Sequence, residues 1–340
     1  MLAFTANGRV GVSIFFVISG FLITTLLLRE SDQFQRVSLK RFYIRRAFRI
    51  LPAFMGFMLT VLSLASLGVI SVDPASFIHA FTLTCDYLHV PAWYLGHIWS
   101  LSVEEQFYLI WPALFVICGR KRLVKIAICV IAAEPVIRVA TWLLFRQERI
   151  QMRFMGHTRA DMLMFGCITA LLFSSYEFQE FIGRILARKA VTYGSVLFFL
   201  FLSPLIELAL GAHFRGSYAF VAGFTLQGIS ITIFMLYVIL HPESRFGRIL
   251  NSPIMVAIGV RSYSLYLWQQ LFIGDSPHSI PRLAAGLCAA VLAAEFSYRI
   301  IELPMLGMKR YFEPRKESGH ATPSPATESQ RLTSLVLTGE

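Results

Sequence analysis

The chain alternates between apolar runs and short polar connections. The runs are close to the ~20 residues that a membrane-crossing helix needs. They fall at 10–28, 50–72, 98–118, 123–145, 160–176, 190–210, 217–240, 254–274 and 282–301. Run 160–176 is short, and several runs carry a single charge. The segment 76–90 (SFIHAFTLTCDYLHV) is apolar but too short to span, which predicts a re-entrant or interfacial piece. The pattern therefore predicts an all-α polytopic integral membrane protein with nine transmembrane helices.

Composition agrees with that reading. Of 340 residues, 56% are hydrophobic and only 15% charged, too little polar surface for a soluble domain of this length. The formal net charge of +11 raises the question of nucleic acid. Recognition of nucleic acid needs basic residues gathered on one soluble face. Here they sit between apolar runs, so no nucleic-acid partner is expected and the charge reports on topology. Five cysteines show neither metal-ligand spacing nor an evident disulfide pair, so no metal is expected.

Lys and Arg divide unequally between alternate connections. The set 29–49, 119–125, 175–190, 241–253 and the residues after Leu303 holds 21, against 7 in the other set. The positive-inside rule places the richer set in the cytoplasm, the N-terminus outside and the C-terminus inside. One external connection breaks the rule, with Arg146, Arg149, Arg153 and Arg159. Residues 1–306 form the membrane domain. The polar, Pro/Ser/Thr-rich tail 307–340 is expected to be a disordered cytoplasmic extension.

Ionisable groups inside spans usually face a cavity or a partner. The richest stretch is HIWSLSVEEQFYLIWP, residues 97–112. On a helix, Ser100, Glu104, Tyr108 and Trp111 share one stripe, with Glu105 turned about 100° away. Glu104 lies roughly 6–9 Å inside the outer end by helical rise. It has the chemistry of a base for a hydroxyl, or of half an ion pair that fixes packing. His97 stands at the head of the stripe. Glu134 and Arg138, four apart, are expected to pair along their helix. Arg159 and Asp161 flank a span mouth, where snorkelling to water is the structural alternative. On the inner side Arg45, Arg46 and Arg49 precede a span, with Arg45 and Arg49 on one helix face. Guanidinium groups there suit phosphate oxygens, and equally suit retention beside anionic lipid.

Four stretches in order resemble the acyltransferase-3 family of integral membrane O-acyltransferases: GRVGVSIFFVISGFLIT, FYIRRAFRILP, HIWSLSVEEQFYLIWP, and GVRSYSLYLWQQ followed by SYRIIELP. RADMLMFG is a further family-like element. The resemblance covers nearly all of residues 8–306. It implies transfer of an acyl group, usually acetyl, from cytoplasmic acyl-CoA to a hydroxyl of an extracytoplasmic glycan or glycolipid, in a bacterial inner membrane. Acyl-CoA is then a co-substrate, with no permanently bound cofactor; the oligomeric state stays open. The resemblance implies a CoA-side role for Arg45, Arg46 and Arg49 and an acceptor-side role for Ser100 and Glu104. It implies site shaping by His97, Tyr108, Arg138, Arg159, Asp161, Tyr266 and Glu302. Family members begin with another span, giving ten in all, that carries a His taken as the base. This sequence begins after that point, and Gln269 stands where the family commonly has His. The expectation is therefore an N-terminally truncated chain, from a misplaced start or as a true fragment, and an inactive fragment of the acyltransferase is one alternative reading. A transporter of a saccharide or acylated solute is the other, and one without need of the inner arginines.

Overall fold

The computed structural model describes residues 2–309 except 90, 150, 215–217 and 275–278. Side chains of 2–7, 9, 211–214 and 309 are likewise left aside. The described residues contain helices and no strand.

Among the described residues, fourteen α-helices follow one another. The N-terminal half holds α1 (Leu2–Phe34), α2 (Leu39–Ser66), α3 (Pro74–Phe81), α4 (Ile98–Cys118), α5 (Arg120–Leu144), α6 (Ala160–Leu172) and α7 (Tyr176–Leu186). The C-terminal half holds α8 (Lys189–Leu197), α9 (Ser203–Phe214), α10 (Phe224–Leu240), α11 (Arg245–Leu250), α12 (Pro253–Phe272), α13 (Ile280–Ser297) and α14 (Leu303–Lys309). Every predicted span coincides with a helix or a helix pair. Among the described residues, six segments are long and apolar enough to cross a membrane: Val10–Phe34, Leu39–Ser66, Trp93–Cys118, Lys189–Leu210, Ala219–Leu240 and Ile280–Met308. The other three predicted spans fall on α5, α6 and α12. Of these, α6 is an apolar helix of 13 residues, while α5 and α12 carry intrahelical charge.

Boundaries differ from the hydropathy reading in an informative way. The basic stretches predicted as loops are helical: α2 starts at Leu39, eleven residues before the apolar run, and α5 starts at Arg120. Ser38 caps α2 by accepting from the Arg41 amide, and Gly119 makes the α4–α5 turn at φ +72°. Helix persists past the apolar edge because Lys and Arg are good helix formers. The predicted re-entrant segment becomes α3, capped by Asp73, followed by a turn over Cys85–Tyr87 that packs under α4. Residues 307–309, expected in the tail, continue α14. The remainder of that tail, 310–340, lies outside the described residues.

The tightest packing is between α1 and α6. A Cβ on Gly20 would lie 2.1 Å from the Leu163 carbonyl oxygen, and one on Gly166 would lie 2.0 Å from that of Val17. The two backbones touch because these positions lack side chains, as small residues allow between membrane helices. Helix α1 also packs on α4 and α10, while α2 meets α12 and α14. Helix α4 stands where these groups join. Three π-turns, Phe198–Leu202, Ala219–Gly223 and Tyr298–Glu302, interrupt the later helices. Such insertions re-aim the residues that follow, often at functional sites.

Candidate active site

The predicted stripe on α4 is buried as a unit: Ser100, Glu104, Tyr108 and Trp111 are each at most 5% exposed. Around Glu104 four helices contribute polar atoms. The hydroxyls of Tyr108, one turn along α4, and Ser19, on α1, both donate to the same Glu104 carboxylate oxygen. The two hydroxyl oxygens lie 2.5 Å apart. From α2, the Arg46 guanidinium lies 3.9 Å from the centroid of the Tyr108 ring and interacts electrostatically with Glu104 and Glu105. One turn on, Arg49 is exposed and feels the charges of Glu104 and Glu302. Glu302 ends a π-turn and accepts from Ser264 of α12.

Nearer the start of α4, Tyr266 donates to the His97 carbonyl, so the Ser100 hydroxyl, 2.9 Å away, donates to Tyr266. His97 Nε2 is 3.2 Å from the Leu267 carbonyl, an acceptor only, which assigns the ring proton to Nε2. Its Nδ1 is buried without a partner. Below the carboxylate, Trp111 donates to Thr24 of α1 at 2.9 Å.

The three inner arginines separate. Arg45 pairs with Glu30 at 2.6 Å. Arg46 stacks on Tyr108 instead, and Arg49, one turn on, is exposed. Arg45 and Arg49 lie four apart along α2, and Glu30 at the end of α1 is the partner of Arg45.

A second charged network joins α5, α6 and α10. Arg138 and Asp161 form a fully buried ion pair at 2.7 Å, and Thr225 bridges both at 2.6 and 2.9 Å. The expected Glu134–Arg138 pairing gives way to this one. Glu134 instead accepts from the Ala160 amide at 3.1 Å, satisfying an open N–H at the start of α6. Arg159 does not snorkel. It is fully buried, stacked 4.0 Å from the Phe224 centroid, with Nε donating to the Arg153 carbonyl at 3.0 Å. Trp99, beside Arg159 at 5.7 Å, connects this network to α4.

Three of the four arginines in the connection 146–159 are engaged by protein groups. Arg149 stacks on Trp142 at 3.8 Å, Arg153 pairs with Glu207, and Arg159 is buried.

Several participants escaped the sequence reading. Ser19 and Thr24 sit as lone hydroxyls in an apolar run, Ser264 looks like a packing residue, and Glu30 reads as loop polarity. Asp86 is another. Its carboxylate accepts from Gln106 at 3.0 Å and from the Gly156 amide at 3.3 Å, tying the segment before α4 to the segment before α6. Burial raises its carboxyl above the usual range, opposed by the Gln106 bond, and pushes the neighbouring Cys85 thiol up to about 12. Among the described residues no group of three or more His, Cys, Asp or Glu could hold a metal ion.

Comparison with known proteins bears on this geometry. The family described as "Acyltransferase domain" (Acyl_transf_3) matches residues 1–294. The chain is 30% identical over 325 residues to a Staphylococcus aureus (strain COL) protein named "Putative O-acetyltransferase", covering 88% of this chain and 52% of that protein. It is 28% identical over 344 residues to O-acetyltransferase OatA of S. aureus (strain MRSA252), covering 93% and 56%. The chain thus spans about half the length of these curated relatives. No solved structure matches it. The chain belongs to the acyltransferase-3 family and is built as a multi-pass membrane protein.

Proposed function

With membership of this family as the premise, we propose that the chain transfers an acetyl group from cytoplasmic acetyl-CoA to a hydroxyl of an extracytoplasmic glycan or glycolipid, in a bacterial inner membrane. The observation that carries the reading is the meeting of Arg46 with the Ser19–Glu104–Tyr108 cluster. It joins a helix that begins among cationic residues to the carboxylate stripe of another helix.

In this reading the phosphates of the donor approach along the start of α2. Arg46 is engaged with Tyr108, so phosphate contacts fall to the exposed Arg49 and to Arg45 once it leaves Glu30. Guanidinium forks match phosphate oxygens. Glu104 takes the proton of the acceptor hydroxyl as that oxygen attacks the thioester carbonyl. The carbon–sulfur bond breaks, CoA leaves as the thiol with the transferred proton, and the acceptor carries the new ester. Ser100, His97 and Tyr266 shape the acceptor approach, while Arg138, Asp161 and Arg159 hold α5, α6 and α10 around it.

The test is reconstitution of the purified chain in lipid nanodiscs with labelled acetyl-CoA and a panel of bacterial surface glycans and glycolipids. Acceptor-dependent release of CoA with label transferred to an acceptor hydroxyl is expected. A folded preparation that neither consumes acetyl-CoA nor labels any acceptor overturns the reading.

A further inference from the structure

We propose that Ser19 is a positioning residue of the acyl-transfer centre, holding the Glu104 carboxylate where it receives the acceptor proton; the proposal rests on the acyltransferase reading above. A serine or threonine inside a helix commonly bonds back to the carbonyl four residues earlier. Thr60, Ser63, Thr169 and Ser230 all do so in this protein. Ser19 does not. Buried at 4% exposure, it sends its proton across to Glu104 on α4.

The bond is mechanically grounded. Ser19 adjoins Gly20, whose contact with Leu163 locks α1 against α6. Five residues on, Thr24 receives Trp111 of the same α4. Helix α1 is therefore tied to α4 both at the carboxylate and two turns beyond it. Tyr108 also donates to Glu104, but it rides on the same helix and cannot set the carboxylate's place relative to other helices. Ser19 supplies that reference from outside. A built-in control lies six residues back: Ser13, buried on the same helix, donates to Gln227 of α10 at 2.8 Å, away from Glu104.

The experiment compares Ser19→Ala, Ser19→Thr and Ser13→Ala in nanodiscs, by steady-state transfer and by carbodiimide labelling of Glu104 read by peptide mass spectrometry. A displacement of about 1 Å in a reacting group costs on the order of 10²-fold, so Ser19→Ala is expected to lose about that in kcat. Its KM for acetyl-CoA should stay within about twofold, because uniform substrate binding is untouched. Ser19→Thr, which keeps the hydroxyl, should recover most of the loss, and Ser13→Ala should retain turnover. Labelling of Glu104 should rise in Ser19→Ala, where the carboxylate has lost a donor, and not in the other two. Unchanged labelling in a folded Ser19→Ala protein overturns the proposal, as does an equal loss of turnover in Ser13→Ala. If the wild type transfers no acyl group, the function reading fails while the labelling comparison still decides the role of Ser19.

Discussion

Arg46 and Tyr108 face each other across α2 and α4, guanidinium over ring at 3.9 Å, while the same tyrosine donates to Glu104. The stack needs a planar cation, which an ammonium does not replace. Both Arg46→Gln and Arg46→Lys are therefore expected to cut acyl transfer by about 10²-fold, through misplacement of the Tyr108–Glu104 pair. Measuring transfer and membrane yield together checks this. Full activity in Arg46→Lys would reduce the contact to a simple charge.

Glu104 and its neighbour Glu105 provide an internal comparison. Glu104→Gln keeps size but removes the proton acceptor, so transfer should fall by about 10²–10⁴, the usual weight of general base catalysis. Glu105→Gln should be milder, since Glu105 points off the α4 stripe on which Glu104 meets Tyr108 and, from α1, Ser19. Equal activity in the two variants, at equal expression, would remove Glu104 from the chemistry.

Helix α1 is held to α6 through two glycines. Gly20→Ala or Gly166→Ala places a methyl group about 2 Å from a carbonyl oxygen, where neither backbone has room to yield. Overpacking of this kind costs about 1–3 kcal/mol or more. A lowered thermal unfolding midpoint in detergent is expected for either variant. Gly8→Ala, with nothing within 4 Å of the added atom, is the neutral control.

The Arg138–Asp161 pair is fully buried, so removing one partner strands a charge. Arg138→Ala or Asp161→Ala alone should destabilise by about 3–5 kcal/mol. The double variant Arg138→Ala/Asp161→Ala should cost much less than the two losses added together, because the paired charges leave together. Unfolding midpoints of the four proteins close the cycle.

Asp86 gives a pH signature outside the spans. Burial raises its folded-state value above the unfolded one, so its charge opposes folding. That cost is present in full at neutral pH and disappears as pH falls through the raised folded value. Asp86→Asn keeps the acceptor for Gln106 and has no charge to bury. The midpoint difference between Asp86→Asn and wild type should favour Asn most near neutral pH and shrink on acidification. A difference that grows on acidification would reverse the assignment.

Much of this molecule is legible in one dimension. A bilayer admits backbone only where its hydrogen bonds close internally, so apolar runs of the right length declare helices. The stripe from Ser100 to Trp111 was also visible in advance, because its members share a single helix and the rotation per residue is constant. The ordered motifs led to the family by the same route. What lay beyond reach depends on how each helix is turned about its axis. Glycine contacts between α1 and α6 determine that Ser19 meets Glu104, and the π-turn at Tyr298–Glu302 aims Glu302 at Ser264. Arg45, Arg46 and Arg49 look alike in sequence, yet Glu30 pairs with the first, Tyr108 of α4 stacks against the second, and the third stays exposed. Arg138 had a carboxylate four residues away and pairs with Asp161 on another helix, since Glu134 is claimed by the open amide of α6. Spacing along a helix settles which residues share a face; only packing between helices decides what that face meets.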